Sequence, residues 1–184
     1  CFGLDTCYDS LTDVECDAFD GLFMGGNTVC ADVNCGYDQI GMPDGSMIVE
    51  AETTASQIFE AANEAYNIAT LDNFTFDSQT TITSIETVID GWNGYGGLDA
   101  VTNYTISIYS SVDAAGADLV GDVYSVDIVT PDFPNWTGPG SLVKFDMSVA
   151  LPAGEYYFAV IPWNNYGENG QTGIKGSTNG DGSF

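Results

Sequence analysis

From about residue 47 onward this sequence predicts an all-β chain, an antiparallel two-sheet β-sandwich of jelly-roll-like or Ig-like type. Three observations carry that reading. Short segments with apolar residues at every second position recur along the chain, the mark of half-buried strands. Clusters of Gly, Pro, Asn and Asp separate them at the spacing expected of a sandwich. One segment, residues 155–161, is apolar on both faces: Tyr156, Phe158 and Val160 on one, Tyr157, Ala159 and Ile161 on the other. A strand of that kind belongs in the middle of a sheet covered on both sides.

The first 35 residues stand apart. All five cysteines lie there (Cys1, Cys7, Cys16, Cys30 and Cys35), in an acidic stretch with few large apolar side chains. Such a segment cannot fold on its core alone and reads as a disulfide-stapled N-terminal module, which implies an oxidising, extracytoplasmic place. A metal site is the rival reading, but the Cys-x2-Cys spacing is missing. Five is odd, so two bonds leave one sulfur over. Cys1 is the natural spare: it pairs with a cysteine further upstream, pairs between subunits, or carries a lipid. A chain that starts at Cys1 rather than Met reads as a processed or trimmed product.

The spacing Cys1, Cys7, Leu11-Thr12, Glu15-Cys16, Gly21, Phe23, Gly25, Thr28, Cys30 and Cys35 resembles a short cysteine-rich repeat of secreted planctomycete proteins. Two positions depart from it: the first Cys of an opening Cys-Cys pair is absent, and Asp20 replaces a Gly. The resemblance covers about a fifth of the chain. It implies secretion and a spacer or surface role rather than catalysis.

Residues 36–46, with Met42-Pro43-Asp44-Gly45, read as a linker and turn. The sandwich domain then spans residues 47–184. Residues 47–51 suit a short strand. In the next stretch, Ala55, Ile58, Ala62 and Tyr66 have helical spacing, yet Ser56-Gln57-Ile58-Phe59 is similar to the opening strand of sandwich domains in secreted bacterial proteins. A strand over residues 57–60 is the favoured reading. Further strands are expected at residues 73–76, 81–89, 103–109 and 122–128. A hairpin follows in residues 141–163, SLVKFDMSVALPAGEYYFAVIPW, turning at Leu151-Pro152-Ala153-Gly154. A last strand is expected at residues 173–177. The segments ITSIETVIDGW, NYTISIYSS and LPAGEYYFAV are similar to the same bacterial modules; such sandwiches host many roles, so no function follows from them.

Charge narrows the partners. Asp and Glu number 27, against two cations, Lys144 and Lys175, with no Arg and no His, for a net charge of -25. Nucleic acid is disfavoured, because binding it needs phosphate-neutralising cations. The surface repels itself and relies on counterions, bound Ca²⁺ among them. Without His there is no Ser-His or Cys-His nucleophile and no His-ligated zinc. No apolar run approaches the roughly 18 residues of a transmembrane helix.

Three tryptophans mark the candidate functional residues. Trp92 with Tyr95, Trp136, and Trp163 with Tyr166 all read as sitting in polar loops beside Asn and Asp. Their rings suit core capping, a subunit interface or stacking on sugars. Glycosylation tripeptides begin at Asn73, Asn103 and Asn135. This composition yields about two such tripeptides by chance, so three permit glycosylation without arguing for it. The acid clusters Asp13, Glu15, Asp17, Asp20 and Asp113, Asp118, Asp122 do not fit an EF-hand loop; a solvated face is the favoured reading over a Ca²⁺ site, no metal ligand is singled out, and no particular carboxylate pair stands out for catalysis. The expected protein is extracellular or at the cell surface, non-catalytic and structural, a homo-oligomer or polymer subunit of a filament, sheath or layer. The alternative is a module that binds polysaccharide through its loop aromatics.

Overall fold

The computed structural model describes residues 48–177, together with Thr12, Val14 and Ile40. The cysteine-rich module, the acid cluster Asp13, Glu15, Asp17 and Asp20, and the linker reading otherwise lie outside the described residues.

Eight strands make up the described chain: β1 (Ile48–Ala55), β2 (Asp72–Phe76), β3 (Thr80–Trp92), β4 (Asn103–Tyr109), β5 (Tyr124–Ile128), β6 (Ser141–Leu151), β7 (Gly154–Trp163) and β8 (Gln171–Ser177). Two short helices, α1 (Val112–Ala117) and α2 (Tyr166–Asn169), interrupt the connections. One sheet has the order β1-β8-β3-β6, the other β2-β7-β4-β5. All named strand pairs are antiparallel. β1 pairs with β8, β2 with β7, β3 with β6 and β4 with β5. The chain is thus a long hairpin folded back on itself at the β4–β5 connection. This nested order is that of a jelly roll, which decides between the two sandwich types.

The apolar alternation places the core. Ile89, Val143 and Phe145 from the first sheet meet Tyr104, Ile106 and Val160 from the second, all nearly free of solvent. The Tyr104 and Phe145 rings meet across the gap edge to face, 5.1 Å between centroids. A second cluster, Phe74, Ile108 and Leu151, fills the other end of the same gap.

β7 carries both apolar faces that its sequence requires. Tyr156, Phe158 and Val160 belong to the inter-sheet core. Ala159 and Ile161 join Tyr109 in a third cluster on the outer side of the second sheet. Ile58, Ala69 and Leu71 of the β1–β2 connection cover that cluster, as do Ala114, Ala115 and Leu119 of the β4–β5 connection. Ser111 caps α1 by accepting from the Ala114 N–H at 3.1 Å. The sandwich therefore has a partial third layer.

Two local expectations are corrected. β1 runs on to Ala55, and residues 57–60 form no strand; Gln57 and Ile58 make single bridges to Ile68 and Trp163. The reason is side-chain chemistry: Ser56 and Gln57 turn inward and bond across the sandwich, which diverts the backbone. Trp92 and Trp163 are the last residues of β3 and β7, so only Trp136 lies in a loop.

Both cations are engaged. Lys175, with its side chain almost fully buried, pairs with Asp90 at 3.1 Å. The half-buried Lys144 lies 3.5 Å from the exposed Asp146. Replacing Phe145 by Ala is expected to lower stability by about 3–5 kcal/mol, because it opens a cavity between the sheets. Chemical denaturation of the two forms reads this directly, and a loss within error would show that the gap is not the principal core.

Candidate functional site

Antiparallel pairing sends alternate connections to opposite ends of the sandwich. The β1–β2, β3–β4, β5–β6 and β7–β8 connections, residues 56–71, 93–102, 129–140 and 164–170, share one end. The opposite end has the short turns at residues 77–79 and 152–153 and the α1 connection. All five aromatic candidates lie at the end with the four longer loops.

That end is tied across both sheets by a buried polar network. Gln57 Nε2 donates to the Asn164 carbonyl at 3.0 Å, and its Oε1 accepts from the Thr172 N–H at 2.7 Å. The Thr172 hydroxyl donates to the Ser56 carbonyl at 2.8 Å. Ser56 Oγ donates to the Val160 carbonyl at 2.7 Å. Asn164 Nδ2 donates to the Gly170 carbonyl at 3.1 Å. Gly170 has φ of 70°, and a Cβ there would fall 2.5 Å from the Trp92 carbonyl oxygen, so only glycine lets the β7–β8 connection close against β3. Sequence reading missed this network. Its one signal was a run of polar residues, Ser56-Gln57, where an apolar strand was expected.

The aromatic candidates divide. Trp92 packs over Gly173, where a Cβ would lie 2.9 Å from its ring. Trp163 is half-buried, and its Nε1 donates to Thr105 Oγ1 at 2.8 Å, which in turn donates to Asp127 at 2.7 Å. Tyr95 inserts beneath Gly91 beside the core, where its hydroxyl finds no hydrogen-bond partner among the described residues. Burial, reinforced by Tyr104 and Asp90 nearby, raises its pKa. These three rings serve the scaffold. Trp136 is half-buried, its Nε1 held by the Pro139 carbonyl at 3.2 Å, and Tyr166 is 41% exposed. Two further rings stand out into solvent: Tyr66 at 70% and Phe133 at 60% exposure. Ile68 and Val129 are exposed on the same connections. An isolated aromatic between two prolines, as Phe133 is between Pro131 and Pro134, was the available signal.

The end has two sides. On one, the β1–β2 and β7–β8 connections meet: the Phe59 and Tyr166 rings lie 6.0 Å apart, and Glu60 accepts from the Tyr166 N–H at 2.9 Å. That bond, chiefly, holds the Glu60 carboxyl below its usual pKa. On the other, Leu98, Asp99, Phe133, Asn135 and Trp136 line an open groove of about 580 Å³.

The three sequons occupy different places. Asn73 is buried on β2, its Nδ2 donating to Glu155 at 3.3 Å. Asn103 opens β4, half-buried, its Oδ1 enclosed. Asn135 is exposed in the β5–β6 loop. At the far end, Asp118 accepts from the Val120 N–H and Asp122 from the Ser110 N–H, each at 3.0 Å, so both close turns. Among the described residues no three acidic or cysteine side chains gather as a metal site, and no helix is long and apolar enough to cross a membrane.

No protein-family model matches the chain, and no curated protein or solved structure matches it either.

Gln57→Ala is expected to lower stability by about 2–3 kcal/mol, since it leaves buried groups of Asn164 and Thr172 unpaired. Tyr66→Ala, in solvent, should stay within about 0.5 kcal/mol; denaturation midpoints compare them. Alkali gives a second check. Burial raises the Tyr104 pKa to about 12, against an ordinary phenol value of 10.0. The neutral phenol is thus favoured by folding. Its contribution is complete below pH 10 and is lost as the pH climbs from 10 towards 12. Phenolate absorbance in a pH titration should show this tyrosine and Tyr95 ionising after the exposed tyrosines, together with unfolding; early ionisation of either in a folded chain would contradict it.

Proposed function

We propose that this chain is a non-catalytic, extracellular structural protein that assembles with further copies of itself by strand addition along β6. The observation that supports this is the outer edge of β6. It is the longest of the four edge strands, eleven residues against eight for β1 and five each for β2 and β5. Among the described residues its outer backbone is bridged only at Lys144, by Asp132, with bonds of 2.9 Å in each direction. A long edge with free N–H and C=O groups is a template for another strand. The acidic composition fits the same reading. Copies carrying a charge of -25 repel one another, so assembly needs salt or divalent cations to screen them.

The test uses the geometry of the edge. Lys144 turns its N–H outward to Asp132, so the N–H of Asp146, two residues on, faces the same way. Asp146→Pro removes that donor without touching the β3 ladder. Electron microscopy and light scattering in salt with Ca²⁺ should show polymers of the unaltered chain, weakened about tenfold or more by Asp146→Pro and retained by Asp146→Asn. Monodisperse monomers of the unaltered chain under these conditions would sink the proposal.

Recognition of polysaccharide is a second reading, favoured by the exposure of Tyr66 and Tyr166 on the same side of the loop end. Aromatic faces beside carboxylates and amides suit sugar rings.

A further inference from the structure

We propose that Asn135 carries an N-linked neutral glycan whose first sugars lie in the groove between Phe133, Trp136 and Leu98. Sequence permits glycosylation at three places; structure separates them. Asn73 is 7% exposed and already donates its amide nitrogen to Glu155 within β2. Asn103 sits in the β4 ladder opposite Trp163. Asn135 alone of the three is exposed and in a loop, as a transferase requires.

The surroundings of Asn135 supply the second part of the argument. Its neighbours in sequence, Phe133 and Trp136, line the same groove of about 580 Å³. Phe133 is 60% exposed, an apolar ring with no internal role among the described residues. Trp136 is pinned by its bond to the Pro139 carbonyl, which fixes the groove wall before anything binds. A sugar attached to Asn135 lays an apolar C–H face on such rings, while the Asp99 carboxylate is placed to accept from its hydroxyls. Asp99 and the overall charge of -25 disfavour acidic sugars, which selects a neutral glycan.

The chemistry is a group transfer from a lipid-linked sugar diphosphate, brought by a glycosyltransferase. Asn135 Nδ2 attacks the anomeric carbon. The N–C bond forms as the bond from that carbon to the diphosphate oxygen breaks. The diphosphate leaves with the electron pair, and a transferase base takes one amide proton. The inference rests on the extracellular placement proposed above and is independent of self-assembly.

Cleavage before aspartate places the three sequons on separate fragments: residues 72–76, 99–112 and 132–145. Mass spectrometry of the chain from its natural source should find fragment 132–145 heavier by whole hexose or N-acetylhexosamine residues. Thr137→Ala should abolish the increment and Thr137→Ser should keep it. Enzymatic removal of the glycan should lower Tm by about 2–4 °C, and Phe133→Ala should erase that difference. An unmodified fragment 132–145 overturns the proposal, as does a free neutral oligosaccharide bound by a chain lacking the covalent increment. Polymers formed by an unmodified chain would leave the functional reading standing while this one fell.

Discussion

The fold depends on one constraint: β7 must be dry on both sides. Its inward residues are satisfied by the facing sheet. Its outward residues, Ala159 and Ile161, need a cover that a two-sheet sandwich does not itself provide. The β1–β2 and β4–β5 connections supply it, which is why both are long and carry apolar residues amid polar ones. Each additional face withdrawn from water stabilises the domain in proportion to its apolar area. The connections thus become structural parts, although loops ordinarily remain at the surface.

That role shapes the loop end. The β1–β2 connection reaches across from one sheet to the other, so Ser56 and Gln57 lie where no water can serve them. They bond instead to Val160, Asn164 and Thr172, and a polar lock stands at the base of the loops. Above it the rings separate by duty. Trp92, Trp163 and Tyr95 close the scaffold, whereas Tyr66, Phe133 and Tyr166 face solvent. A rigid base with exposed aromatics above it is the usual anatomy of a recognition surface.

Much of this was legible in the sequence. Residues 103–109 coincide with β4, and the hairpin of β6 and β7 follows from alternation and the Pro-Ala-Gly turn. The two apolar faces of β7 announced an outer cover without naming its source. Strand order was not legible, because period-2 patterning says which face is buried and nothing about which neighbour lies beside it. The segment at residues 57–60 misled for a related reason: pattern reading weighs apolar spacing, and here buried hydrogen bonds decide the path. The tryptophans misled in the other direction. A large ring next to Asn and Gly reads as a loop residue, yet Trp92 and Trp163 complete strands that their polar neighbours only terminate. The exposed Phe133, one ring without periodicity, was invisible to a search for repeating patterns.

The nested strand order has a mechanical consequence. β1 and β8 are partners, and their register sets Ile48 beside Ser177. The two ends of the described domain therefore leave side by side from the same end of the first sheet, one from its edge strand and one from the strand next to it. Tension applied between them pulls β1 away from β8 sideways, so the hydrogen bonds open one after another like a zipper. Shear, in which many bonds bear the load together, does not arise along that axis. A protein built to carry tension on this scaffold must route the force elsewhere, through the length of β6 or across the face of the sheets.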